Sequence, residues 1–217
     1  MDSSQRQIAL DFIASLNYLH TTTRSSRYTV QESIHVTDYR GGSEAENRRY
    51  EIDIEMIVLD TDPAIVKQMI AQLNLPKDVR YRISLLHTED EPGEAADVYS
   101  SAGYQRVATA PLQVIDLPYN LTREERASDI RIEEAFNEED VEYANEWLDD
   151  TDSPMPMAGI GDPFIRRYYA EIDRAVVGWG QMVNGAASET AFVGDLFTEP
   201  AYRGRGVGLM MLDKMHE

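Results

Sequence analysis

The residues best suited to chemistry lie in one run, Asp195-Leu196-Phe197-Thr198-Glu199-Pro200-Ala201-Tyr202-Arg203-Gly204-Arg205-Gly206-Val207-Gly208-Leu209-Met210-Met211-Leu212. Its pattern predicts a strand, a proline turn, a glycine-rich loop and an apolar helix. Such a helix start is an anion site. Its first backbone N–H groups have no partner inside the helix, and the dipole favours negative charge. Gly204, Gly206 and Gly208 let the backbone approach a pyrophosphate closely, and Arg203 and Arg205 can add charge-assisted hydrogen bonds. No Gly-Lys-Ser/Thr follows, so this is not a Walker loop, and no acidic partner can be placed at a following strand as a dinucleotide fingerprint requires.

These two arginines make a positive spot on a negative body. The 217 residues carry 39 acidic and 20 basic side chains, a formal charge of −19. So acidic a surface repels nucleic acid and anionic membrane, which need a cationic footprint, and it suits a cationic amine. A solubilising role for most of that charge is the commoner case. Hydrophobic residues make up 42%, enough for a sizeable core, and no apolar run nears the ~20 residues that span a bilayer. The start, Met1-Asp2-Ser3-Ser4-Gln5, has no signal-peptide pattern. With no cysteine, disulfides, thiolate metal sites and a cysteine nucleophile are excluded, and a cytoplasmic setting fits. His20, His35, His87 and His216 lack metal-ligand spacing, so no metal site is expected.

The elements that must position the loop follow from periodicity. Residues 5–19 predict a helix with Ile8, Phe12, Leu16 and Leu19 on its inner face and Ile13 beside them. Strands are expected at Tyr28–Val36, Tyr50–Leu59 (half-buried, with Tyr50, Ile52, Ile54 and Met56 on one face) and Val79–His87, and an extended segment at Tyr104–Leu117. Helices are expected from Pro63 to Leu73 and from Glu91 to Ala102. A polar stretch, 119–128, reads as a linker between a unit at 1–118 and a unit at 129–217. The second unit opens with a strand at Ile130-Arg131-Ile132. A helix follows, capped by Asn137 with Asp140, whose Val141, Ala144 and Leu148 face inward. A hairpin then closes near Asp173-Arg174, and a strand runs from Ala191 to Phe197. Trp179 between Gly178 and Gly180, and Met210, Met211 and Met215, read as packing residues.

Arg203-x-x-Gly206-x-Gly208 resembles the (Q/R)-x-x-G-x-(G/A) acetyl-CoA signature of the Gcn5-related N-acetyltransferase (GNAT) superfamily. The strand before it, Pro200 and the element order of residues 129–217 resemble that family too. The resemblance implies an α/β, mixed-sheet acetyltransferase fold. It also implies acetyl-CoA as co-substrate, with its pyrophosphate on the backbone from Arg203 through Gly204, Arg205, Gly206 and Val207 to Gly208. The pantetheine arm would run beside Leu196, Phe197 and Thr198, where a splay of the strand would admit the thioester. A primary amine, small or peptide-borne, would attack the thioester directly, so a base, an oxyanion donor and a proton donor are needed. Asp195 is the first candidate base, with Glu171 and Glu133 as others. Residues 149–163 are the expected acceptor loop.

Residues 79–104 are similar to the later half of the same family. There a strand precedes a helix carrying Y-x-x-x-G-(F/Y), matched by Tyr99 and Gly103-Tyr104, and the tyrosine protonates the leaving thiolate. Packing explains Tyr99 equally well. The link Asp60-Thr61-Asp62-Pro63 has neither glycine nor arginine, and its carboxylates would repel pyrophosphate. Two architectures follow. One is a tandem pair, with a degenerate first copy and a second that lacks its last strands, whose open edge would favour a homo-oligomer. The other is a circular permutation in which residues 79–117 complete the second unit and Tyr99 is catalytic. The tandem order is favoured. Beside an N-acetyltransferase stand a non-catalytic CoA-binding or dimerisation module and, as a third and weaker alternative, transfer of a longer acyl group.

Overall fold

A computed structural model describes residues 1–31, 34–41, 52–59, 62–87, 93–108, 110, 112, 114, 129–148, 153–185 and 190–216. The chain divides into two compact units, Met1–Gln113 and Val114–Glu217, each with its own sheet. The expected linker at 119–128 lies outside the described residues. No helix among the described residues is long and apolar enough to cross a membrane.

Unit 1 begins with helix α1 (Ser3–Thr23), started by a capping box in which Asp2 and Gln5 exchange side-chain to backbone bonds of 2.9 and 2.8 Å. Its most buried positions are Ala9, Ile13, Ser15, Asn17, Leu19 and His20, whereas Ile8, Phe12 and Leu16 are half-buried. The inner face is thus partly polar. Periodicity misses this, because the partners of Asn17 and His20 come from distant strands. The expected single strand at Tyr28–Val36 is instead a hairpin, β1 (Arg27–Gln31) and β2 (Ile34–Asp38), paired antiparallel. Tyr28, Val30, Ile34 and Val36 keep one period-2 register across residues 32–33, and neither Gly nor Pro marks the reversal.

Strand β3 (Ile54–Val58) pairs antiparallel with β2 and parallel with β4 (Tyr81–Leu85). A parallel pair needs a crossover, and helix α2 (Pro63–Gln72) supplies it. All five residues of β3 are buried, so it is not the half-buried strand its alternation predicts, and residues 50–51 lie outside the described residues. The reason is a helix on each face. Ile54, Met56 and Val58 pack with Val66 and Met69 of α2, while Glu55 belongs to a polar row on the opposite face with Thr37 and Arg82. Helix α3 (Gly93–Ser101) follows. Residues 104–108 pair in neither sheet, and residues 109, 111, 113 and 115–117 of the extended segment expected at Tyr104–Leu117 lie outside the described residues.

Unit 2 is an antiparallel sheet in the order β5 (Arg131–Ala135), β6 (Ile165–Ile172), β7 (Ala175–Asn184), β8 (Ala191–Thr198). Helix α4 (Glu138–Leu148) carries the expected cap: Asn137 Oδ1 accepts from Asp140 N at 3.0 Å, and Asp140 Oδ2 accepts from Asn137 N at 3.2 Å. Val141, Ala144 and Leu148 are fully buried, packing with Tyr169 and Trp179 on one face of the sheet. The β6–β7 turn places Asp173 at φ 52 and Arg174 at φ 72, the left-handed pair of a tight two-residue hairpin. Helix α5 (Val207–Met215) covers the other face, with Val207 and Met211 against Ala170 and Val177. Gly178 is required there: a Cβ would lie 2.5 Å from the Phe197 carbonyl oxygen.

Candidate active site

Strand β8 is regular except at one point. Asp195 pairs with Gln181, but the next pair is Val193 with Met182, so Gly194 is an extra residue and the strand bulges. The bulge lies beside Asp195, within the strand expected to open. Leu196 and Thr198 face α5, the side chain of Leu196 lying 3.4 Å from where a Cβ on Gly208 would be. Phe197 packs instead on the α4 side.

From Thr198 the chain enters a single 3₁₀ turn, Pro200–Tyr202. Gly204 (φ 77) and Gly206 (φ 87) then adopt the left-handed conformation that other residues reach only with strain. Gly206 is the N-cap of α5 and offers no side-chain oxygen, so among the described residues the first-turn N–H groups have no side-chain cap. The two arginines differ. Among the described residues Arg203 spends only Nε on the protein, donating to the Thr198 carbonyl oxygen at 3.0 Å. Arg205 is engaged by its terminal nitrogen, 2.6 Å from Asp129 Oδ2, and lies 5.5 Å above the Tyr202 ring. Arg203 is therefore the freer cation, and Arg205 holds the loop against the start of β5.

The three candidate bases separate clearly. Glu171 accepts from the Tyr143 hydroxyl at 2.8 Å, and Glu133 is ion-paired with Arg131. Both sit on β5 or β6, away from β8 in the sheet order. Asp195 is on β8 itself, and its Oδ2 accepts from Gln181 Nε2 at 2.5 Å. Gln181 Oε1 in turn accepts from Arg167 Nε at 3.3 Å. Arg167, which the sequence reading passed over, is fully buried, and its Nη2 donates to the Ala158 carbonyl oxygen at 2.5 Å. Burial pulls its pKa down to about 10, although Asp195 and Asp162 pull it up. The signal was present: alternation in β6 puts Arg167 on the same inner face as Tyr169.

The expected acceptor loop is described from residue 153; residues 149–152 lie outside. It is tied down at Ser153 by Trp179 Nε1 (2.7 Å), at Met155 by Asn145 (2.8 and 3.0 Å), and at Ala158 by Arg167. Trp179 is thus a packing residue.

Tyr99 belongs to unit 1. It is 6% exposed in the core of unit 1, among Val36, Met56, Val66 and Met69, with its ring 5.4 Å from that of Tyr104. Strand β4 pairs with β3 in the first sheet, and β8 pairs with β7 in the second. The motif at Tyr99 is local and does not specify a strand's partner.

Solved structures match the whole chain or part of it. A GCN5-related N-acetyltransferase from Kribbella flavida matches with a TM-score of 0.59 at 16% identity, over 100% of this chain and 82% of that one, a likeness of fold. An aminoglycoside acetyltransferase from an uncultured soil metagenomic sample matches at 14% identity and TM-score 0.29, over 41% of this chain and 70% of its own. No curated protein matches the sequence. Residues 124–217, which carry β5 to α5 and the glycine loop, match the model of the acetyltransferase (GNAT) family.

Proposed function

We propose that unit 2 binds acetyl-CoA and transfers its acetyl group to a primary amine. One observation carries this reading: β8 runs through left-handed Gly204 and Gly206 into an α5 start with no side-chain cap, inside the family-matched segment. The N–H groups from Arg203 to Gly208 would hold the pyrophosphate, and Arg203 would supply its free terminal nitrogens. The bulge at Gly194 and the strand at Leu196, Phe197 and Thr198 would receive the pantetheine arm. Asp195 would take a proton from the amine as its nitrogen bonds to the thioester carbon and the C–S bond breaks; water would return a proton to the thiolate. A cationic acceptor suits the net charge of −19.

The tandem organisation is part of the same proposal. A helix, three antiparallel strands and a helix occur as α1-β1-β2-β3-α2 and again as α4-β6-β7-β8-α5. The two helix starts differ where the cofactor would sit. In α2 the Asp62 carboxylate caps the Ala64 N–H at 2.8 Å, filling the anion position with the chain's own anion. Unit 1 is then a copy that has lost this route to the cofactor. A second reading, a CoA-binding module without turnover, is favoured by one fact: the hydroxyl of Tyr99, the expected proton donor, is buried in the core of unit 1.

Calorimetric titration of acetyl-CoA tests the binding. The wild-type chain should bind saturably, and Arg203→Ala/Arg205→Ala should weaken binding by more than about tenfold, the worth of one charge-assisted hydrogen bond. A folded wild-type chain that shows no heat of binding overturns the reading. Release of free thiol with a panel of primary amines (spermine, glucosamine, lysine) separates the enzyme from the module.

A further inference from the structure

Three strands contribute one polar row to the inner, α4-facing side of the second sheet. Arg167 on β6 is opposite Gln181 on β7, and Gln181 is opposite Asp195 on β8. The row has a direction. A guanidinium only donates, so Gln181 must turn Oε1 toward Arg167, and its Nε2 then faces Asp195. Were the amide free to flip, its oxygen would meet the carboxylate. Asp195 keeps one oxygen, Oδ1, without a hydrogen-bond partner among the described residues.

The row is costly as mere packing. Arg167 is fully buried, and among the described residues its Nη1 has no hydrogen-bond partner and no carboxylate bonds it directly. Burying an unpaired charge is among the most destabilising things a core can hold, and apolar residues of the same volume would be more stable. Arg167 also reaches out of the row: its Nη2 holds Ala158, in the loop expected to meet the acceptor. One side chain therefore connects that loop to the carboxylate on the cofactor strand.

We infer that Arg167 is a positioning residue that acts through Gln181, setting the orientation of the Asp195 carboxylate toward the amine and anchoring the acceptor loop in the same step. This rests on the acetyl-transfer reading of β8.

Gln181→Glu tests it directly. The substitution keeps the shape and gives Arg167 a carboxylate partner, but it replaces the donor to Asp195 with a second anion. The expected result is a chain more stable to urea than Gln181→Met, with an unchanged acetyl-CoA Kd, and with kcat for an amine from the panel reduced about 10- to 100-fold, part of what a general base contributes. Arg167→Lys should recover part of the kcat that Arg167→Met loses. A second readout needs no acceptor: in nitrogen-15 spectra the Gln181 side-chain amide should be protected from exchange in the wild type and lose protection in Arg167→Met and Arg167→Lys, less so in the latter. Wild-type kcat in Gln181→Glu, or an amide equally protected in the Arg167 variants, overturns the inference alone. Failure of the wild type to bind acetyl-CoA overturns the parent reading and the inference with it.

Discussion

The Tyr39 hydroxyl donates to Oε2 of Glu55 across 3.0 Å, and that bond sets the direction of a buried chain of groups beneath α1. With its proton committed, the Tyr39 oxygen accepts from Nδ1 of His20 at 2.7 Å, and Nε2 of His20 accepts from Arg24 at 2.8 Å. His20 is therefore neutral, with its proton on Nδ1. Glu55 Oε1 accepts from Arg82 at 2.7 Å and from Ser84 at 3.0 Å. Burial would raise the Glu55 pKa, but Arg82 and these hydrogen bonds hold it below the ordinary value.

A pH dependence follows from His20. Burial, then the charge of Arg24, lowers its pKa from 6.5 to about 3. A folded pKa below the unfolded one means that the unfolded chain binds the proton first. The stabilisation is complete above pH 6.5 and is lost as pH falls from there toward 3. His35, lowered by burial and Arg6, has the same sign. Urea unfolding should show unit 1 losing about 2 kcal/mol between pH 7 and pH 5, at about 1.4 kcal/mol per pK unit of difference. His20→Gln should flatten most of that slope; an unchanged slope would assign the effect elsewhere.

Glu55 and Asp195 hold the same place, each in its own sheet. Each is three residues before the last paired residue of its strand, Val58 or Thr198, and each faces away from the helix that follows. They differ in their partners. Glu55 accepts from Tyr39, Arg82 and Ser84, whereas among the described residues Asp195 accepts only from Gln181. Asp195→Asn should thus reduce kcat by about 100-fold or more with little loss of stability. Glu55→Gln should cost about 1–3 kcal/mol and leave kcat unchanged in the folded chain. Equal losses of kcat in the two variants would contradict the degenerate assignment of unit 1.

The glycines of the loop should respond differently to alanine. At Gly206 there is open space, but φ is 87, so Gly206→Ala should cost about 1–2 kcal/mol of stability and weaken acetyl-CoA binding. Gly208 lies inside α5, and a Cβ would touch Leu196 at an ordinary 3.4 Å. Gly208→Ala should therefore raise stability by up to about 1 kcal/mol from helix propensity. Thermal melts with and without acetyl-CoA check both. Matching melting temperatures in the two variants would mean that the left-handed turn at Gly206 does not form.

The features that the sequence determined by itself are those whose causes lie within a few residues. Gly204 and Gly206 allow left-handed turns, Asn137 and Asp140 cap each other across three positions, and Asp173-Arg174 closes a hairpin between two apolar runs. The loop-to-helix start that could take a pyrophosphate was legible for that reason. Tertiary structure alone decided the rest. Burial of β3 on both faces comes from α1 and α2, well outside the strand. The reversal between β1 and β2, the pairing of β4 with β3, and the row that joins Asp195 to Gln181 and Arg167 are matters of register and neighbours. Tyr99 reads as an acid from its motif and lies in a core because of what β3 and α2 place around it. Register depends on which distant strand supplies the partner backbone, and a local pattern of side chains is compatible with several partners.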